Sequence, residues 1–219
     1  MKLPFFASFI VFTIWLTYEI KKNSISHQKN HDAFWDKENA ANSTRRKSLE
    51  HLDYITLPMD KFPMDVMAED ETVRDIQKTI LILNDKKIVN FTGFTNTQLK
   101  LEYGAPNITL LTEYDQNFTM LVRTLQKWAA LLIDNNHINE GKMLLEYAVS
   151  IRSDVSKSYK MLADIYSSEG NLDKIRNLVT IASTLNSAMK NAIVHTLQES
   201  YLCNDSPHFS SDAPPGSPQ

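Results

Sequence analysis

The sequence predicts a mainly α-helical protein: one apolar N-terminal helix followed by a bundle of α-helical hairpins. Three observations predict it. Residues 3–18, LPFFASFIVFTIWLTY, run without a charge. Apolar residues downstream recur at spacings of three and four, the period of a helix with one buried face. Residues 122–155 can be laid over residues 156–189 with matching residue types.

Composition narrows the function. Hydrophobic residues make up 42% and charged residues 22% of the chain, which excludes a fully disordered chain, a collagen and a polytopic membrane protein. A formal net charge of −3 gives no global basicity for nucleic acid. The one cysteine excludes a disulfide framework and a cysteine-based zinc site. Gly93, Gly104, Gly141, Gly170 and Gly216 are too scattered for a phosphate-cradling loop.

The uncharged run, with Ile20 added past Glu19, approaches the lower length limit for crossing a bilayer. Trp15 and Tyr18 stand at its end, where aromatic rings favour a membrane interface. LTYEIKKNS lacks the small residues of a signal-peptide cleavage site. Residues 1–22 are therefore expected to be a single-pass transmembrane anchor, with the membrane as partner through residues 3–20. Lys21, Lys22, Arg45, Arg46 and Lys47 follow the run, so the positive-inside rule places the bulk of the chain in the cytoplasm of a cell-membrane protein.

Residues 23–68 read as a polar juxtamembrane helix or linker, ending in a stretch bracketed by Pro58 and Pro63. Residues 69–202 read as the helical domain. Its first helix begins near Asp70 and buries Val73, Ile76, Ile80 and Leu83. IVNFTGF, residues 88–94, is a short strand or a buried loop. Thr95 is placed to cap a brief helix through Leu101, which stops at Gly104 and Pro106. Helical pattern then runs from about Ile108 to Asn135. A capping helix is expected over about 187–200, with Met189, Ile193 and Leu197 inward. Residues 203–219, rich in Pro, Ser and Asp, are expected to be a disordered tail.

Within the repeat, Leu125 falls on Tyr159, Trp128 on Leu162, Ala129 on Ala163, Asn136 on Gly170, Leu145 on Val179 and Ala148 on Ala182. A period of 34 residues is that of the tetratricopeptide repeat. The second copy, YKMLADIYSSEGNLDKIRNLVTIA, resembles that motif through Leu162, Ala163, Tyr166, Gly170, Leu172 and Ala182. The first copy departs by placing Asn136 at the turn glycine, a residue that also tolerates left-handed backbone. Neither copy has the closing proline, and Ile175 replaces a small residue of the second helix. Beyond the repeats, FWDKENAANSTRRKSLEHLDYITLP, IVNFTGFTNTQLKLEYGAPN and TEYDQNFTMLVRTLQKWA resemble an uncharacterised family of membrane-anchored proteins from clostridial Firmicutes. That resemblance implies an anchor plus a tetratricopeptide-like body and no assigned activity.

The tetratricopeptide resemblance implies a partner-facing surface on the first helix of each copy. Its positions are Arg123, Gln126, Ala130 and Asp134 in the first copy, and Lys157, Lys160, Asp164 and Ser168 in the second. Arg123, Lys157 and Lys160 would make a basic floor suited to an acidic peptide or a C-terminal carboxylate. Other chemistry lacks a frame. His27 and His31 are four apart without the glutamate of a metalloprotease helix. There is no GxSxG, and Cys203 sits in the tail. Sequons at Asn42, Asn90, Asn107 and Asn117 decide nothing. The expectation is a membrane-anchored interaction module, a scaffold or adaptor without cofactor, metal or catalytic residues. The alternative is an extracytoplasmic envelope protein that assists folding or assembly of exported proteins.

Overall fold

The computed structural model describes residues 3–202; the expected tail, 203–219, lies outside them. Among the described residues every regular element is helical and none is a strand. The elements are α1 (Leu3–Asn42), α2 (Glu71–Asn84), α3 (Asn96–Tyr103), a 3-10 turn (Ala105–Asn107), α4 (Ile108–Asp134), α5 (Ile138–Ser150), α6 (Ser156–Ser168), α7 (Leu172–Ser183) and α8 (Lys190–Tyr201).

The expected transmembrane anchor is corrected. Among the described residues no helix is long and apolar enough to cross a membrane. The physical reason is length and dilution. An uncharged stretch of about sixteen residues at ~1.5 Å per residue reaches roughly 24 Å, short of a ~30 Å hydrocarbon core. Ser8, Thr13 and Thr17 interrupt it, and Glu19, Lys21 and Lys22 end it. The single-pass cell-membrane location falls with it. Nor does the helix stop at residue 22: α1 continues unbroken to Asn42.

The chain divides into two compact units. The first joins Met1–His51 to Phe94–Leu111. Glu38 of α1 is its clip. Its carboxylate accepts from Thr97 Oγ1 at 2.7 Å and pairs with Lys100. Lys100 Nζ also donates to Asn42 Oδ1 at 2.8 Å. The bond from Lys100, and then that from Thr97, hold Glu38 below the usual carboxylate range. Thr95 opens α3 with a full capping box, its side chain answering the Gln98 amide while Gln98 answers the Thr95 amide. Asn107 is completely buried; its amide donates to Lys47 O and Tyr103 O, both at 2.8 Å, and its oxygen accepts from Arg46 Nε at 2.9 Å.

The second unit joins Leu52–Gly93 to Thr112–Gln219. Asp70 caps α2, accepting the Val73 amide at 2.9 Å, and Val73, Ile76, Ile80 and Leu83 face the core. Residues 88–93 are a buried loop pinned by side chains. Asn117 Nδ2 donates to Lys87 O at 3.0 Å, Asn90 Nδ2 to Ile151 O at 3.2 Å, and the Phe91 amide to Asp115 Oδ1 at 3.3 Å. Two single backbone bonds add to them, Ile55 N to Ile88 O at 2.9 Å and Val89 N to Tyr114 O at 3.5 Å, without a ladder between strands.

The remaining helices repeat. α4 and α6 end thirty-four residues apart, at Asp134 and Ser168; α5 and α7 start thirty-four apart, at Ile138 and Leu172. Both intervening turns close in the same way. Asn136 (φ +66°) and Gly170 (φ +68°) are left-handed. His137 N donates to Leu132 O and Asn171 N to Tyr166 O, each at 2.8 Å, the bond that satisfies an otherwise orphaned helix-end carbonyl. Turns this short force each helix pair antiparallel, so α4 and α6 run in the same direction. Gly141 lets α5 lie close on α4, because a Cβ there would strike Ile133 at 2.6 Å. Ile175, its counterpart, is wholly buried instead. α8 begins at Lys190, thirty-four after Ser156, and buries Ile193 and Leu197 where α6 buries Tyr159 and Ala163. It therefore stands as the first helix of a third copy. Its outward residues His195, Thr196, Gln198 and Glu199 are polar and exposed, which closes that end of the stack.

Trp128 anchors the interior at 0% exposure, with Phe62 edge-on at 6.1 Å between ring centres. Its indole N–H has no hydrogen-bond partner among the described residues.

Candidate functional site

The face shared by α4, α6 and α8 is built by the repeat itself. Residues three or four apart on a helix stand on one side. Gln126 Nε2 lies 3.8 Å from Met161 Sδ, which sets α4 beside α6 on this face. Arg123 and Lys157 each precede that contact by one turn of their own helix. Both are exposed, and among the described residues neither enters an ion pair. Asp134 is exposed at the far end of α4, and Ala130 is half-buried between.

Lys160 and Asp164 are spoken for. Lys160 Nζ donates to Asp164 Oδ2 at 3.0 Å, four residues on. Tyr201 of α8 donates its hydroxyl to the other Asp164 oxygen. The Asp164 bond raises the Lys160 pKa, and burial followed by the Asp164 bond raises that of Tyr201. The free positive charge of the expected floor is thus Arg123 and Lys157, while Lys160 is partly neutralised. Ser168 turns its hydroxyl back to Ile165 O at 2.7 Å.

Three neighbours escaped the sequence reading. Met161 supplies the apolar middle of the face. Tyr201 arrives from the third copy, which a second shift of thirty-four from Ser156 to Lys190 would have revealed. Lys127, four residues after Arg123, lines a polar cleft of about 360 Å³ with Glu71, Thr72, Asp75, Thr79 and Thr124. That cleft mixes carboxylates, hydroxyls and one amine without convergence on a point.

Among the described residues no three His, Cys, Asp or Glu side chains are placed to hold a metal. His31 accepts a bond from Trp35 Nε1 at 2.8 Å and approaches Asp32; Cys203 and the His27 side chain lie outside the described positions. Asp115 has a pKa raised by burial, opposed by the Phe91 amide, and it holds the 88–93 loop. Asn90, Asn107 and Asn117 all spend their amides on backbone carbonyls.

On the opposite side, Tyr166 donates to Glu146 Oε1 at 2.6 Å between Lys142 and Lys174, whose ammonium groups sit 5.2 and 4.8 Å from its ring centre. Lys142 also pairs with Glu169 at 2.6 Å. These charges tie α5, α6 and α7 to one another. No family model, curated protein or solved structure matches the chain.

Proposed function

We propose that this protein is an interaction module, a scaffold or adaptor rather than an enzyme, built from helix pairs of the tetratricopeptide type. Its working surface is the α4–α6–α8 face, and its partner is an acidic peptide segment. The observation that carries this reading is the pair Arg123 and Lys157, each one turn before the Gln126–Met161 contact, exposed, and without an ion pair among the described residues. Unpaired cations on adjacent helices attract carboxylates, and a stack that repeats places them at regular intervals along the ligand. Gln126 and Met161 beside them offer a donor and a polarisable apolar contact.

The test is a titration of the full chain into fluorescein-labelled hexaglutamate, read by anisotropy. Binding should weaken about tenfold in Arg123→Glu/Lys157→Glu, since both attractive charges become repulsive. Circular dichroism should be unchanged, because both side chains are exposed. Equal binding by the double variant would overturn the assignment of this face.

A further inference from the structure

We infer that the α4–α6–α8 face selects its partner by charge order: a peptide acidic over Arg123 and Lys157 and basic over Asp134. This inference rests on the proposed interaction reading and adds a polarity to it.

The charges along this face are segregated. Arg123 and Lys157 occupy one end, with Lys127 one turn further along α4; Asp134 holds the other, exposed and without an ion pair among the described residues. Between them Lys160 and Asp164 cancel, tied together and to Tyr201. α4 and α6 run in the same direction, so the two ends do not alternate from helix to helix.

The segregation does not serve helix stability. A helix favours acidic residues at its start and basic ones at its end. The outward-packed helices comply: α5 carries Glu140 and α7 carries Asp173 in the first turn. α6 departs from the rule at its start, with Lys157 in the first turn and Asp164 mid-helix. Neither α6 nor α8 has an acidic residue in its first turn or a basic one in its last. Lys157 at the start of α6 and Asp134 at the end of α4 are charges that helix formation does not call for, and they are free to serve a ligand that complements them.

The spacing fixes the ligand's shape. Arg123 and Asp134 are eleven residues apart on one helix, about 16 Å at ~1.5 Å per residue. An extended peptide covers that in roughly five residues.

Three synthetic peptides test this with the full chain by anisotropy. One has three glutamates, five Gly/Ser residues and three lysines in blocks. The second has the same composition with the charges alternating, and the third is hexaglutamate. The block peptide should bind about tenfold tighter than the alternating one. Asp134→Lys should erase that preference while hexaglutamate binding holds or improves. Equal affinity for block and alternating peptides, with hexaglutamate still weakened by Arg123→Glu, would overturn the charge order and leave the acidic-peptide reading standing. If Arg123→Glu/Lys157→Glu changes binding of none of the three, both fail.

Discussion

Asn136 and Gly170 hold the same left-handed backbone, at φ +66° and +68°, thirty-four residues apart. Each ends a helix and starts its antiparallel partner. The two turns are chemically unequal, because only glycine adopts this conformation without a steric cost.

Gly170→Ala should therefore destabilise the protein by about 1 kcal/mol. Asn136→Gly should be neutral or stabilising by about 0.5 kcal/mol. Urea midpoints at constant slope measure both. A Gly170→Ala midpoint equal to wild type would mean the turn is not held as described.

Trp128 occupies the centre of the second unit, while Trp15 and Trp35 are 56% and 49% exposed. Trp128→Ala should cost about 3–5 kcal/mol through lost burial and the cavity left behind. Trp128→Phe should cost far less than half of that, since the indole N–H has no partner to lose. Thermal unfolding followed by circular dichroism separates the two variants.

Two carboxylates should give opposite pH signatures. Glu38 is depressed by Lys100 and Thr97, so its contribution is present above its unfolded pKa and lost as pH falls through the folded one. Glu38→Gln should loosen α3 at pH 7 and match wild type in acid, as read by amide exchange at Thr97–Lys100. Asp115 is raised by burial, so its contribution is full below the unfolded pKa and lost as pH rises through the folded one. Asp115→Asn keeps an acceptor for the Phe91 amide. It should be more stable than wild type at pH 7, with the gap closing toward pH 3.

Tyr201 joins the third copy to the second through Asp164. Tyr201→Phe should raise amide exchange in the last turn of α8 and leave the α5–α7 network untouched.

Helix period and the thirty-four-residue spacing were legible because burial writes apolar residues onto one face. Leu125, Trp128 and Ala129 match Tyr159, Leu162 and Ala163, and all six are buried. The N-terminal run misled, since its lack of charge hid its shortness and its hydroxyls. The 88–93 loop stayed ambiguous because its backbone is met by the side chains of Asn90 and Asp115 and by Ile55 N and Tyr114 O, partners that local pattern does not reveal. At the site, residue spacing placed Arg123 and Lys157 on the outward face of their helices. The i,i+4 pairing of Lys160 with Asp164 is local, but the hydroxyl of Tyr201 that fixes Asp164 comes from the next copy. Pairing across helices depends on where side chains end, and a period reports only where they start.

The most direct measurement is a map of amide shifts in the isotope-labelled full chain as hexaglutamate is added. The account predicts shifts concentrated at Arg123, Gln126, Lys157 and Met161, growing together with one saturation curve. Shifts confined to α5 and α7, or scattered without saturation, would contradict an interaction face on α4, α6 and α8.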